Sequence, residues 1–374
     1  MTGLDVINLG PVDGYVMTNM FVVLAGSVSE GKRGDTLVLC HAEKPFANVG
    51  FHQEALQEID MDYCTRNSIP VVRRVIGGGA IADGPWEEDY FLISSLGSPT
   101  TGGTIQEYYG RMLEPVSSAL QRIGIHTVRS GLNDLAVDGR KISANGAVDI
   151  DSARVLTGDI LLDLNLEMMS GILRVPDEKF RDKMARTMEE HLTSVRALLG
   201  RQVSREEIDA ALTGEFGRLY GGQINSSSVT EDEAYRLSVL VEERKGSEWV
   251  FSRDSSRSEL FADRRIVKIR EGVFLCKYDY KAQKLIRVTL LVDRGTIGSI
   301  VLSGDFFTVP VTWKLDRLER ALEGLPLNAK TISEKVASVM TEDGVRILGA
   351  MPDDFANAIT EAARHPSITN SGGG

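Results

Sequence analysis

Two arginines and three glycines that lie close together in the chain are the residues best suited to bind an anion. They belong to the stretch Arg73-Arg74-Val75-Ile76-Gly77-Gly78-Gly79-Ala80. Guanidinium groups donate paired hydrogen bonds to phosphate or carboxylate, and glycine lets backbone N–H groups approach a ligand because it has no Cβ atom. The stretch lacks the Gly-Lys-Ser/Thr ending of a P-loop and the GxGxxG spacing. It predicts an anion-binding loop, with a plain structural turn as the alternative.

A lysine lies beside a tight turn in the stretch Asn133-Asp134-Leu135-Ala136-Val137-Asp138-Gly139-Arg140-Lys141-Ile142. Asp-Gly between two apolar runs is typical of a two-residue β-hairpin turn, which places Lys141 on one strand and Asn133 with Asp134 on its antiparallel partner. A lysine held in this way can stabilise negative charge that develops during a reaction. Asn133 and Asp134 can position Mg²⁺ or a ribose hydroxyl. A solvated hairpin without a function is the alternative.

A third polar motif is Asn48-Val49-Gly50-Phe51-His52-Gln53, which lies between a predicted strand and a predicted helix. Gly50 permits a tight entry into the helix, and Gln53 can direct its amide into a cavity at the helix start. Taken alone, the motif is equally a helix cap.

The elements that must position these motifs follow from the spacing of apolar residues. Runs of β-branched residues predict strands, and amphipathic stretches predict helices. The predicted strands cover residues 36–40, 70–76 and 158–166, and the predicted helices cover residues 53–67, 105–123, 178–199, 206–220 and 231–244. Ser204 before Glu207 and Thr230 before Glu233 suit capping boxes at the last two helices.

A polar, serine-rich stretch at residues 252–259 predicts a linker between two domains. We therefore place one domain at residues 1–252 and another at residues 260–370, with a disordered tail at residues 371–374. In the second domain, strands are predicted over residues 267–270, 273–280, 285–292 and 299–302, and helices over residues 315–322, 332–338 and 352–363. This order predicts an α+β module.

The composition excludes several classes of protein. With 42 basic and 53 acidic residues the formal charge is −11, which opposes binding to phosphate backbones, so no nucleic-acid partner is expected. The sequence shows no secretion signal and no long apolar run, so we expect a cytoplasmic protein without a membrane partner. Three widely spaced cysteines and five histidines argue against a disulfide framework and a zinc or histidine metal site. The acidic run Glu87-Glu88-Asp89 is predicted to be a solvated loop.

The three motifs, in this order, resemble the lipoate-protein ligases, which are relatives of biotin ligases and octanoyl transferases. Thr157-Gly158-Asp159-Ile160-Leu161-Leu162-Asp163 resembles the strand with this family's HGxLLxD pattern. Lys268-Ile269-Arg270-Glu271-Gly272-Val273 and Ser303-Gly304-Asp305-Phe306-Phe307 resemble its C-terminal accessory domain, including the GDFF turn. The resemblance implies an α+β fold. It also implies a large catalytic domain of the biotin/lipoate-ligase type, with a mixed or antiparallel sheet flanked by helices. A smaller α+β accessory domain is expected to follow it.

The resemblance implies an ATP-dependent reaction in two steps. ATP and lipoate, or octanoate, condense to an acyl-adenylate with Mg²⁺ as the metal, and a lysine of an acceptor protein then attacks the adenylate to give an amide and AMP. Lys141 is the implied catalytic residue, and Asp134 is the implied magnesium ligand. The implied substrate- and adenylate-binding residues are Gln53, Arg73, Arg74, Gly77, Gly78, Gly79, Ala80, Asn133, Asp134 and Gly158. The expected partners are lipoate and a lipoyl-domain or other lipoate-binding acceptor protein, and we expect a monomer.

The positions of the cysteines separate two branches of this superfamily. The amidotransferase and octanoyl transferase branches use a cysteine nucleophile near or shortly after the lysine motif, but no cysteine lies between Cys64 and Cys276. Cys40 and Cys64 are interpreted as packed small side chains. A ligase is therefore favoured over a transferase.

Departures from the family pattern leave another function open. Ile76 replaces a serine, while Asp83 and Thr157 each replace a histidine. The alternative is a degenerate family member that binds an acyl group or acts as a scaffold without turnover.

Overall fold

The chain folds into two compact units. The computed structural model describes residues 3–175, 181–254 and 266–364. The first unit comprises Met1–Asn48, Ile59–Arg74 and Ile81–Val250, and the second comprises Val49–Glu58, Val75–Ala80 and Phe251–Gly374. Two short segments from the N-terminal half therefore fold with the C-terminal part of the chain. Residues 255–259 of the predicted linker and the tail at residues 371–374 lie outside the described residues.

Strands rich in β-branched and aromatic residues form the framework of the first unit. They are β1 (Leu4–Val12), β2 (Thr36–Ala42), β3 (Phe46–Val49), β4 (Val71–Arg73), β5 (Ile81–Asp83), β6 (Glu87–Ser95), β7 (Val128–Ser130), β8 (Asp134–Val137), β9 (Arg140–Ser143), β10 (Asn145–Ile150), β11 (Ala153–Leu161) and β12 (Ile224–Ser226). Six of them form a sheet in the order β10-β11-β6-β2-β1-β12. In this sheet β1 is parallel to β2 and β12, and the other neighbours are antiparallel. The predicted mixed sheet is confirmed.

Helices cover both faces of this sheet. They are α1 (Gly14–Ser29), α3 (Met61–Arg66), α4 (Ile105–Arg122), α5 (Leu166–Ile172), α6 (Arg181–His191), α7 (Val195–Leu199), α8 (Arg205–Leu219), α9 (Glu231–Arg244) and α10 (Ser247–Val250), while α2 (Ala55–Glu58) belongs to the second unit. Leu92 and Tyr90 share a core with α4 and α8. Phe91 stacks instead on Phe21 of α1, with ring centroids 5.2 Å apart. Because neighbouring side chains of a strand point to opposite faces, α1 lies on the face away from α4 and α8.

Two of the predicted helices are each split in two. The stretch 53–67 contains α2 and α3, because the Asp60 carboxylate accepts a hydrogen bond from the Tyr63 N–H at 2.8 Å and caps a new helix. The stretch 178–199 contains α6 and α7, with Ser194 as the cap of α7, and residues 178–180 lie outside the described residues. The helices predicted over 105–123, 206–220 and 231–244 are confirmed as α4, α8 and α9.

Two predicted strands have different limits in the structure. In the stretch 70–76 only β4 is a strand, and it ends at Arg73. In the stretch 158–166 the strand is β11, which begins earlier, at Ala153, and ends at Leu161. Asn165 then caps α5 by accepting a hydrogen bond from the Met168 N–H at 3.2 Å.

The prediction of a solvated loop at Glu87-Glu88-Asp89 is wrong. These residues begin β6, and Glu87 and Glu88 are only 3% and 1% exposed. Arg205 of α8 forms an ion pair with Glu88, which offsets part of the cost of its burial. The sequence patterns also gave no prediction for α1. Its buried residues surround the helix axis, so it lacks the amphipathic period that reveals a surface helix.

The second unit contains an antiparallel sheet packed against three helices. Its strands are β13 (Ile266–Arg270), β14 (Val273–Lys281), β15 (Leu285–Asp293) and β16 (Thr296–Gly304), which pair in this order, and β17 (Phe307–Val309) with β18 (Arg346–Leu348). Its C-terminal helices are α11 (Asp316–Leu322), α12 (Ala329–Glu342) and α13 (Pro352–Ala362). Leu290, Phe306 and Phe355 belong to its core. The predicted α+β module is confirmed over residues 266–364. No helix within the described ranges of the chain has the length and apolarity needed to cross a membrane.

Candidate active site

The predicted hairpin holds Lys141 in a fixed place in the first unit. Strands β8 and β9 pair antiparallel, with Ala136 opposite Lys141. Asp138 and Gly139 join them with φ angles of 50° and 78°, as a type I′ turn requires. The Nζ atom of Lys141 lies 3.8 Å from Oδ2 of Asp134, and the two side chains are 37% and 34% exposed. Lys141 thus presents a charged group that a ligand can reach.

Asn133 and Gly158 belong to one hydrogen-bonded group beside this hairpin. The Asn133 amide donates to the backbone carbonyl of Asn145, and the side-chain oxygen of Asn145 accepts from the Tyr90 hydroxyl. A Cβ atom at Gly158 would approach both the Tyr90 hydroxyl and the Asn145 side chain more closely than the 3.0 Å that real Cβ atoms keep. Only glycine fits at this position of β11. No sequence pattern predicted a role for Tyr90 or this role of Asn145.

Arg74 forms a charged group with Asn48 and Asp83. Its Nη1 atom donates to the backbone oxygen of Asn48 at 3.0 Å and to the Asn48 side-chain oxygen at 3.2 Å. The Asn48 amide donates in turn to Oδ2 of Asp83 at 2.6 Å. Burial lowers the pKa of Arg74 to about 10, while Asp83 acts in the opposite direction, so Arg74 keeps its positive charge at neutral pH. Asp83 therefore supplies a carboxyl beside the predicted anion-binding arginine.

Arg73 has different hydrogen-bond partners from Arg74. It is 1% exposed, its Nε atom donates to the carbonyl of Val250 at 2.8 Å, and its own carbonyl accepts from the indole of Trp249 at 2.9 Å. These bonds join β4 to α10 and give Arg73 a structural role. Its role in binding phosphate or carboxylate stays a prediction.

Four carboxyl groups in this region interact electrostatically. Asp159 of β11 lies opposite Asp89 of β6, and Asp83 and Glu87 interact with both. Burial and the neighbouring carboxyls raise the pKa of Glu87 and of Asp89 well above the usual range. Burial also raises the pKa of Asp159, to about 7, although the Ala144 N–H and Lys141 act in the opposite direction. The sequence patterns did not predict this cluster, because they missed β6.

The remaining predicted site residues lie in the second unit. The Gln53 side-chain oxygen accepts from the Gly50 N–H at 3.1 Å. A Cβ atom at Gly50 would collide with the backbone oxygen of Gly78, and Gly78 has a φ of 94°, which favours glycine. The segments Val49–Glu58 and Val75–Ala80 therefore pack directly on each other. Gln53 lies here with the glycines and Ala80.

These two segments also pack on the GDFF turn, a relation that the sequence did not reveal. A Cβ atom at Gly77 would collide with the backbone oxygen of Phe306. His52 lies with its Nε2 atom 3.0 Å from the Thr308 hydroxyl, and its ring stacks on Phe306 with centroids 5.2 Å apart. The Gly304 N–H donates to the His52 carbonyl at 3.2 Å. The glycine loop is thus supported by C-terminal residues.

Asp134 alone does not make a metal site. Among the residues that the structure describes, no group of three or more His, Cys, Asp or Glu side chains is arranged to hold a metal ion. Asp134 forms an ion pair with Lys141. A magnesium ion at Asp134 stays a prediction.

The three cysteines are packed in the two cores. Cys40, Cys64 and Cys276 are all buried. Burial raises the pKa of the Cys64 thiol to about 11 and that of Cys276 to about 12. Burial, together with Asp89 and Glu88, raises the pKa of Cys40 well above its usual range. The thiols are protonated at neutral pH, which supports their interpretation as small packed side chains.

The chain is similar to known protein families and to individual proteins. The model of the lipoyl protein ligase A/B catalytic domain matches residues 15–217, and that of the bacterial lipoate protein ligase C-terminus matches residues 285–359. The chain is similar to the octanoyltransferase LipM of Kyrpidia tusciae, with 28% identity over 59% of this chain and 88% of that protein. It is also similar to lipoate–protein ligase 1 of Staphylococcus aureus, with 23% identity over 81% of this chain and 85% of that protein.

A solved structure is similar in fold. The bipartite lipoate protein ligase of Thermoplasma acidophilum, described with its E2 lipoyl domain, has a TM-score of 0.59 and 25% identity, and covers 67% of this chain and 96% of its own. The first of the two family models spans more than half of the 374 residues. The chain belongs to the lipoyl protein ligase A/B catalytic-domain family and also contains the C-terminal domain of bacterial lipoate protein ligases.

Proposed function

We propose that this protein is an ATP-dependent ligase that converts lipoate to lipoyl-adenylate and transfers the lipoyl group to a lysine of a lipoyl domain. The observation that carries the proposal is Lys141, an accessible ammonium group fixed on a rigid hairpin beside Asn133 and Gly158. The acceptor is proposed from the lipoyl domain described with the similar Thermoplasma ligase. A monomeric state and a cytoplasmic location stay predictions.

The first step needs positive charge at the reacting phosphate. The lipoate carboxylate attacks the α-phosphate of ATP, a carboxyl O–P bond forms, and the bond to the leaving pyrophosphate breaks. Negative charge grows on the phosphate oxygens during this exchange, and a cation already fixed at that point stabilises it without reorganisation. Lys141 is proposed to do this, with Arg74 as a second cation of the first unit. The roles of Gln53 and of residues 77–80 in binding the adenylate are proposed from the family resemblance.

Octanoyl transfer through a thioester is the second candidate, because an octanoyltransferase is among the similar proteins. That chemistry needs a thiolate that can reach the substrate. All three thiols are buried and hold their protons. An adenylate already activates the acyl carbon, so a ligase needs no protein nucleophile. The burial of the thiols therefore favours the ligase.

A cysteine-free variant separates the two candidates. We expect the triple variant Cys40→Ala, Cys64→Ala and Cys276→Ala to lipoylate a lipoyl domain at a rate within about threefold of the native rate and to require Mg²⁺-ATP. The measurement is the mass increase of the lipoyl domain with time, together with AMP release. The three single variants serve as the control if the triple variant melts at too low a temperature. Loss of all acyl transfer in one folded single variant would favour the thioester route instead.

A further inference from the structure

The second step of the proposed reaction requires a proton acceptor, and this inference rests on that proposed function. A lysine side chain is an ammonium ion at neutral pH. An ammonium nitrogen has no lone pair, so the acceptor's lysine must lose a proton before it can attack the acyl carbon. A group that accepts this proton works best when its own pKa lies near the working pH.

Asp159 is fixed next to the strand that carries Lys141. Its Oδ1 atom accepts from the Ala144 N–H at 2.7 Å, and its own N–H donates to the Ala144 carbonyl at 3.1 Å. As a residue Asp159 is partly exposed, whereas Asp83 and Glu87 are buried. Asp159 therefore combines a fixed position with partial exposure.

The titratable groups that face Asp159 come from four strands. Asp83 lies on β5, Glu87 and Asp89 on β6, Asp134 on β8, and Lys141 on β9. Two other elements also pack against β11. Helix α1 contains no charged residue, and β10 carries Asp149, which is paired with Arg154.

The surroundings of Asp159 set its proton affinity. Burial is the main cause that raises the pKa of Asp159 to about 7, and Asp83 and Asp134 act in the same direction, against the Ala144 N–H and Lys141. A carboxylate whose pKa lies near the working pH can take up a proton from an ammonium ion and release it to water afterwards.

We propose that Asp159 accepts the proton of the acceptor's lysine ammonium in the transfer step. The N–H proton passes to the Asp159 carboxylate, and the freed lone pair of the nitrogen forms the bond to the acyl carbon. The bond between that carbon and the phosphate oxygen breaks, and its electron pair leaves with AMP. The second proton of the nitrogen passes to water as the amide forms. The products are the amide, AMP and a protonated Asp159, which returns its proton to solvent.

The variant Asp159→Asn tests the proposal when the two half-reactions are measured apart. Transfer is started with lipoyl-adenylate prepared in advance and a lipoyl domain, and adenylate formation is followed as pyrophosphate release from ATP and lipoate. We expect transfer to fall about 10²-fold and adenylate formation to stay within about threefold of the native rate. The native transfer rate should rise with pH and level off above the pKa of Asp159, and this rise should be absent in Asp159→Asn. Asp159→Glu, which keeps the carboxyl group, should recover part of the rate.

The matched control is Asp151→Asn, in the turn between β10 and β11. Asp151 is exposed and has a φ of 50°, which asparagine adopts readily, so both half-reactions should stay at the native level. Equal losses of both half-reactions in Asp159→Asn would overturn the proposal and make Asp159 a structural residue. An unchanged transfer rate and pH profile would overturn it as well. If Asp159→Asn fails to fold, a native pH profile in Asp159→Glu overturns it, whereas a shifted profile supports it. Because the adenylate is supplied ready-made, failure of the native protein to form it from ATP would count against the ligase alone.

Discussion

Replacement of Lys141 by alanine is expected to lower the rate of lipoyl-adenylate formation by about 10³-fold. The Nζ atom is an accessible cation of the hairpin, and its loss removes the charge that is proposed to stabilise the phosphate during adenylation. The fold should persist, because the pair with Asp134 at 3.8 Å is partly exposed and such pairs contribute about 0–1 kcal/mol to stability. Pyrophosphate release at saturating lipoate and ATP measures the effect.

The control for Lys141→Ala is Lys32→Ala. Lys32 is also a lysine of the first unit, 63% exposed and paired with Glu30, and its loss should leave adenylation at the native rate. Lipoate affinity, measured by calorimetry, distinguishes the degenerate-binder alternative. Two outcomes would contradict the ligase proposal. One is a Lys141→Ala variant that keeps both the native lipoate affinity and the native rate of pyrophosphate release. The other is a native protein that binds lipoate but never releases pyrophosphate.

Replacement of Gly77 by alanine is expected to lower adenylate formation by about 10²-fold, because a displacement of about 1 Å in a ligand-binding element has an effect of this size. The new Cβ atom would collide with the Phe306 carbonyl and lie 3.2 Å from the Phe307 Cα atom. Both neighbours are backbone atoms that cannot rotate away, so the glycine loop must move. The measurement is again pyrophosphate release.

The control for Gly77→Ala is Gly102→Ala, a substitution at a glycine with open space around it. A Cβ atom at Gly102 meets no atom within 4 Å, so Gly102→Ala should keep the native rate and the native free energy of unfolding. If Gly77→Ala is as active as the native protein, the packing of the glycine loop on the GDFF turn has no part in adenylation. That result would confine the turn to a role in stability.

Local signals predicted the hairpin and the regular helices. The turn at Asp138 and Gly139 needs only positive φ at two residues, and the pairing of β8 with β9 follows from it. The helix over residues 105–123 is amphipathic and begins at Thr104, whose capping box with Glu107 is present. Such features depend on neighbours in sequence, so the sequence alone was sufficient for them.

Long-range packing determined what the sequence could not predict. The carboxyl cluster exists because β6 pairs with β11, which brings Asp89 opposite Asp159. The break between α2 and α3 coincides with a bridge from Ile59 to Leu173. The contact of Gly77 with Phe306 joins residues far apart in the chain. None of these partners leaves a periodic pattern in the sequence.

The departures from the family pattern leave Lys141 in place. The Asp83 carboxylate accepts a hydrogen bond from the Asn48 amide, and the Asn48 side-chain oxygen accepts one from Arg74. A hydrogen-bonded carboxyl therefore lies where the family has a histidine. Ile76 is buried, and Thr157 lies with its hydroxyl 3.5 Å from the Gly146 carbonyl. These contacts account for the three residues within the fold.

The most direct test of the ligase proposal is mass spectrometry of the native protein after incubation with lipoate and Mg²⁺-ATP, without an acceptor. We expect one lipoyl-adenylate held per protein molecule, with an equal amount of pyrophosphate released. A lipoylated lysine and AMP should form once a lipoyl domain is added. The contradicting result is a protein that makes neither adenylate nor pyrophosphate but moves an octanoyl group from a carrier protein to the lipoyl domain in the absence of ATP.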